Sequence, residues 1–168
     1  MARILSLLML SVLALGACYA QATLDPVTEK AIEEACLQLI DDYVIARDRY
    51  DPDGYAAVFA DDGEMILPSA RFKGHDEIAA RIREARGKRR SQHLITTRHV
   101  TVLDRNTATG IVYAMVFEEP VGDVSADQAL ATDGPLAIGF YIDEYRLTER
   151  GWKIQTREFR PQFVWEKS

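Results

Sequence analysis

Acid-base chemistry near neutral pH is the first thing to look for, and the chain offers three histidines for it: His75, His93 and His99. His75 opens a predicted helix, where a surface or capping role accounts for it. His93 and His99 lie six residues apart in SQHLITTRHV, so without a bulge they share one face of a strand. Among the carboxylates, Asp48 is placed differently from the rest. It sits near the end of an amphipathic helix, on the flank it shares with Leu37 and Val44, at the rim of any cavity that the helix closes. An aspartate within hydrogen-bond reach of a histidine fixes the ring tautomer and makes a general base able to take a proton from carbon or oxygen. Asp48 and His93 are therefore the candidate pair, and a purely structural hydrogen bond between them is the competing reading.

Other constellations are missing. The sequence has no HExxH, no paired CxxC, no glycine-rich phosphate loop and no GxSxG, which leaves zinc-protease, nucleotide-binding and serine-hydrolase chemistry without support. The histidines are too scattered for a ligand set, so neither a metal nor another cofactor is expected.

The elements that must position this pair can be read from periodicity. A first helix is predicted from Asp25-Pro26, a cap followed by proline, to about Arg49. Ile32, Ala35, Cys36, Leu39, Ile40, Tyr43, Ala46 and Tyr50 gather on its apolar face, whereas Asp41, Asp42, Arg47 and Arg49 read as solvated residues or local ion pairs. Asp51-Pro52-Asp53-Gly54 breaks that helix. A short second helix is predicted over Tyr55–Phe59, anchored by Tyr55, Val58 and Phe59, then a short strand over Glu64–Leu67 and a third helix from about His75 to Arg86 with Ile78 and Ile82 inward.

From Ser91 the period becomes alternating. Four strands are predicted, roughly His93–Leu103, Thr107–Glu118, Leu136–Leu147 and Trp152–Val164. Ile111, Tyr113, Met115 and Phe117 share a face of the second and suit either a core or a pocket lining. The long acidic loop from Glu119 to Pro135 reads either as a lid or as a plain connection. Helices first and strands after make an α+β fold. The expected form is a cone-shaped, curved antiparallel sheet of about four long strands plus a short one, packed against three N-terminal helices that enclose a pocket.

With 168 residues, 48% of them hydrophobic and 27% charged, the chain fits one domain. A formal net charge of −6 argues against a nucleic-acid partner. The basic run Arg81–Arg90 reads as a solvated helix end. Residues 1–22 resemble an export signal: Arg3 is their only charge, Ile4–Leu15 is apolar, and that run is shorter than the roughly 20 residues of a membrane-spanning helix. Cleavage after Ala20-Gln21-Ala22 leaves a domain of residues 23–168. Cleavage within Leu15-Gly16-Ala17-Cys18, the lipoprotein pattern with signal 1–17, leaves a lipidated Cys18. Both readings place the protein outside the cytoplasm, periplasmic or secreted, with membrane contact only through a lipid on Cys18. Either way Cys36 has no disulfide partner and reads as a buried small hydrophobe.

AIEEACLQLIDDYVIARDRYDPDGYAAVFADDGEMIL, FKGHDEIAARI, QHLITT and GFYIDEYRLTERGWKIQTREFRP, in that order, resemble the SnoaL-like group of the nuclear transport factor 2-like superfamily, from about Thr28 to Pro161. The resemblance implies an α+β cone, a homodimer through the outer sheet face and an apolar pocket. It implies activities such as polyketide cyclisation, scytalone or bile-acid dehydration and ketosteroid isomerisation. It places the catalytic aspartate on Asp48, a later acid on Asp51, a tyrosine on Tyr43 and the strand-opening histidine on His93. Scytalone dehydratases carry a second histidine on the next strand, where this chain offers Tyr113 or Met115. Arg157, or Arg160, would orient an oxyanion or carboxylate.

Two functions follow as expectations. One is a cofactor-independent lyase or isomerase of a small apolar, ring-containing molecule, with catalytic Asp48, His93 and Tyr43 and a pocket of Tyr113, Met115, Tyr55, Phe59 and Arg157. The other is a non-catalytic ligand-binding or dimeric interaction domain.

Overall fold

The computed structural model describes residues 24–125 and 127–165. The export signal, its cleavage sites and Cys18 lie outside the described residues. Helix α1 spans Pro26–Asp48. Asp25 caps it by accepting from the Thr28 backbone N–H at 3.0 Å, and proline follows in the first turn, where its missing N–H costs nothing. The buried stripe Ile32, Cys36, Leu39, Ile40, Tyr43, Ala46 and Arg47 follows the three-four spacing of a helix with one face inward. Cys36 is fully buried, and burial, with the nearby Asp143, pushes its thiol up to about 12, so it is chemically quiet. The helix is capped at Arg49, and Tyr50 beyond it is a non-glycine residue at φ 51°, in the left-handed region. Asp51 then caps the short helix α2, Pro52–Ala57, through the Gly54 N–H at 3.1 Å.

Strand β1 (Phe59–Leu67) turns through Pro68-Ser69 into β2 (Ala70–Lys73), and helix α3 follows over Gly74–Ala85. Four longer strands complete the chain: β3 (Arg89–Val102), β4 (Thr107–Pro120), β5 (Ala137–Thr148) and β6 (Gly151–Val164). They form a six-stranded sheet in the order β2-β1-β6-β5-β4-β3. Two features correct the sequence expectation. The sheet has six strands rather than five, because Ala70–Lys73 forms a strand of its own, and the short strand is longer than expected, since Phe59 starts β1 instead of ending a helix. It is also mixed: β3 to β6 run antiparallel, but β1 lies parallel to β6, with Met65 beside Arg157. A parallel pair needs a long crossover, and here α3 and the three strands β3 to β5 supply it.

Register shifts between Ile95 and Thr97, between Glu144 and Tyr145, and between Phe59 and Glu64 bend the sheet around α1. The concave face of β4 carries small residues, Ala108, Val112, Ala114 and Val116, all buried. Tyr113 and Met115 have the opposite parity and lie on the convex face, with Tyr113 46% exposed, so the expectation that they line the pocket is overturned. The physical reason is space: α1 lies across the concave face, and only small side chains on β4 admit it.

One ion pair sits at the centre of the concave face. The Arg157 guanidinium donates to both carboxylate oxygens of Asp143, at 2.8 Å from Nε and 2.6 Å from Nη2, and the Tyr145 hydroxyl donates to the same carboxylate at 2.6 Å. Both charged side chains are at most 1% exposed, so each charge depends on the other for its solvation. No helix among the described residues is long and apolar enough to cross a membrane.

Candidate active site

Asp48 and His93 meet at the point where the end of α1 crosses the start of β3. The His93 Nδ1 lies 2.6 Å from Asp48 Oδ1, and the His93 backbone N–H donates to Asp48 Oδ2 at 2.8 Å. The Ser91 hydroxyl donates a third bond, to Oδ1, at 3.1 Å. A carboxylate at a helix C-terminus faces the negative end of the helix dipole, a cost of roughly 0.3–1 kcal/mol that three donors from the neighbouring strand offset. An ionised carboxylate only accepts, so Nδ1 is the ring nitrogen that carries a proton toward it. The His93 side chain is 4% exposed and lines a cavity of about 360 Å³.

The bulge at Ile95/Thr97 explains why only one histidine of SQHLITTRHV reaches this cavity. One extra residue reverses the strand parity, so His93 faces inward and is buried while His99 faces outward and is exposed. His75 stands elsewhere, with Nε2 2.9 Å from the Phe59 carbonyl oxygen. It borders a depression of about 410 Å³ near α2 and α3. The Lys and Arg side chains of that depression are already engaged, Arg83 with Asp53, Lys153 with the Ala57 carbonyl and Arg150 with Asp61.

Tyr43 forms part of the cavity wall. Its hydroxyl accepts from Tyr55 at 3.1 Å and donates to the Met65 sulfur at 3.9 Å, a weak acceptor that a ligand oxygen would displace. The Arg157 guanidinium stacks on the Tyr43 ring at 4.1 Å and on the Tyr141 ring at 4.9 Å. Burial drives the Tyr43 phenol well above its ordinary 10.0 despite that cation, and pushes Tyr141 up to about 12. Both remain neutral hydrogen-bond donors at physiological pH.

Three further expectations are corrected. Tyr55 and Phe59 are fully buried and pack behind Tyr43, with ring centroids 4.9 Å and 6.2 Å from it, so they support the wall without facing the cavity. Arg157 is committed to Asp143 and acts on the site through the Tyr43 and Tyr141 rings. Its rival Arg160 is exposed and pairs with Glu158 at 2.8 Å. The loop after β4 is held at the outside by Arg90, whose guanidinium donates to the Ser125 and Gln128 carbonyls, and among its described residues only the last, Leu136, reaches the cavity.

The structure adds residues that sequence reasoning assigned elsewhere. Arg47, read as solvated, is 3% exposed; it donates to Ser91 Oγ at 3.0 Å and pairs with Glu118, which also takes Arg89 Nε at 2.6 Å. Its position four residues after Tyr43 was the available signal. Tyr141, Phe159, Trp165 and Arg81 complete the wall, and nothing local in the sequence marks them. Among the described residues no group of three His, Cys, Asp or Glu could hold a metal.

A curved α+β sheet with a part-buried Asp-His pair, its histidine in the wall of an aromatic cavity, defines the class of protein. The chain belongs to the SnoaL-like domain family, which matches residues 29–158. No protein of curated function matches its sequence. Among solved structures it is similar to a protein of unknown function from Mycobacterium tuberculosis, with 25% identity, a TM-score of 0.68, and coverage of 83% of this chain and 78% of that one. It is similar in fold to a candidate scytalone dehydratase from Novosphingobium aromaticivorans, with 18% identity, TM-score 0.70, and 84% and 91% of the two chains covered. The same holds for a hexachlorocyclohexane dehydrochlorinase from Novosphingobium barchaimii, with 17% identity, TM-score 0.69, and 84% and 93% covered.

The buried phenols make alkaline stability a test of this geometry. Tyr43, Tyr55, Tyr141 and Tyr145 are all raised by burial above 10.0, so above that pH the native state holds protons that the unfolded state has released. Their contribution is whole below pH 10 and is lost progressively above it, for Tyr141 as the pH climbs to about 12 and for the others at still higher pH. Phenolate absorbance for these residues should appear together with loss of the circular-dichroism signal. Ordinary titration of all of them near pH 10 in a folded protein would contradict the packing.

Proposed function

We propose that this protein is a cofactor-independent lyase or isomerase acting on a small apolar, ring-containing molecule. The observation that carries the reading is the 2.6 Å contact between His93 Nδ1 and Asp48 Oδ1 at the wall of an aromatic cavity. Asp48 holds the imidazole with Nε2 free, and His93 Nε2 removes a proton from carbon next to a carbonyl or leaving group. The charge that develops on the substrate oxygen is met by the Tyr43 hydroxyl, which stays protonated and exchanges its weak Met65 contact for a stronger one. Elimination then gives an alkene, and return of the proton to another carbon gives an isomer. A dehydratase and an isomerase differ here only in what the substrate can expel.

The same reading includes a homodimer. On the convex face Leu94 pairs with Met115 and Met115 with Ile138, while Tyr113 pairs with Phe140, giving an apolar band across three strands. Leu94 and Tyr113 are 45% and 46% exposed in the single chain. It also includes export, since residues 1–22 have the composition of a signal. Native mass spectrometry of the protein recovered from its source membrane and periplasm reads both points. The expected result is a dimer whose N-terminus is Thr23 or a lipid-modified Cys18, and a monomer beginning at Met1 would contradict both.

The chemistry is tested by deuterium exchange at the carbon acidic positions of 2-tetralone in heavy water, followed by proton NMR. The wild-type protein should accelerate exchange over buffer, and H93A should lose about 100- to 10,000-fold of that acceleration while keeping its fold. Equal exchange by H93A and wild type would remove His93 from the mechanism. Absence of any acceleration by the wild type would favour a binding domain without catalysis.

A further inference from the structure

The cavity has a cation that no carboxylate among the described residues neutralises. Glu118, the carboxylate in its wall, is engaged by Arg47 and Arg89, and Asp48 is engaged by His93 and Ser91. Beneath the wall, Asp143 is matched by Arg157. Arg81 also lines the cavity, and its guanidinium lies 5.7 Å from the centre of the Phe72 ring. It forms no ion pair among the described residues. Surface arginines such as Arg71, Arg98, Arg146 and Arg150, by contrast, all hold a carboxylate.

Helix α3 produces this placement. Ile78 and Ile82 are fully buried against the sheet, which fixes the rotation of the helix and turns Arg81, on the flank of that face, toward the cavity rather than outward with Arg83 and Glu84. Phe72 on β2 lies under the guanidinium, a contact that satisfies none of its N–H donors. Its charge acts on Tyr43, Tyr55 and Tyr141, so it sits within electrostatic reach of the site's own donors.

We propose that Arg81 is an anion-binding residue of this cavity and that the natural ligand is a ring-sized apolar acid, its carboxylate on Arg81 and its ring against Tyr141, Phe159 and Trp165. This rests on the reading of the cavity as a ligand site and adds to it the ligand's charge. A volume of about 360 Å³ accommodates two fused rings with one small substituent. A neutral ligand of the same shape would leave a partly buried guanidinium without a partner, which penalises its binding.

The test is calorimetric titration of the full-length protein with 2-naphthoate and with its neutral isostere 2-naphthamide. The acid should bind about tenfold more tightly than the amide, as one charge-assisted pair allows. R81Q should abolish that preference, R81K should restore part of it, and R83Q, an exposed neighbour on α3, should keep it. H93A should retain the preference while losing exchange on 2-tetralone, which separates recognition of the acid from proton transfer. Equal binding of acid and amide, or a preference that survives in R81Q, overturns the assignment of Arg81 and leaves the cavity as a ligand site. Failure of both probes to bind overturns it together with the reading of the cavity on which it rests.

Discussion

The Asp48 carboxylate is the joint on which the rest of the structure depends. It belongs to the last turn of α1, yet all three of its hydrogen bonds come from β3: the His93 ring, the His93 backbone N–H and the Ser91 hydroxyl. Two elements more than forty residues apart are thereby fixed in both distance and rotation. Replacing the carboxylate would leave a buried backbone N–H and a buried imidazole without acceptors, each costing on the order of 1–3 kcal/mol. The orientation of the base and the seating of the helix are one interaction, so the site is rigid by construction.

A second layer lies under the first. Arg157 and Asp143 are more deeply buried than the dyad, and their energetic value depends on complete pairing, which Tyr145 helps to supply. Through the faces of Tyr43 and Tyr141 this pair presents positive charge to the cavity floor without offering it a hydrogen-bond donor. A developing oxyanion beside Tyr43 would feel that charge across a ring. The ion pair thus links the stability of the cone to the polarity of the cavity.

Much of this was legible in the sequence where the determining physics is local. The Asp25-Pro26 start, the Asp51-Pro52 break and the change from helical to alternating period follow from caps, proline geometry and side-chain periodicity. The Asp48 and His93 pairing was reachable from the flank position of one and the strand-opening position of the other. The facing of β4 was not legible, because alternation gives two faces and does not say which one a helix will cover. Large Tyr113 and Met115 seemed natural pocket residues, but α1 selected the face of Ala114 and Val116. The separation of His93 from His99 depends on a one-residue bulge, and the parallel pairing of β1 with β6 joins segments about ninety residues apart. Arg47 and Arg81 looked like solvent cations, since a charge on a helix flank is ordinarily solvated, and only tertiary packing turns these two inward.

The central claim is that Asp48 holds His93 with its proton on Nδ1 and leaves Nε2 free in the cavity. Long-range proton-nitrogen correlation NMR of the histidine rings reads this directly. The expected spectrum for His93 near neutral pH shows a protonated Nδ1 in a strong hydrogen bond and an unprotonated Nε2, with the pattern lost in D48N. A His93 protonated on Nε2, or one whose tautomer is unchanged by D48N, would contradict the dyad and with it the proposed mechanism.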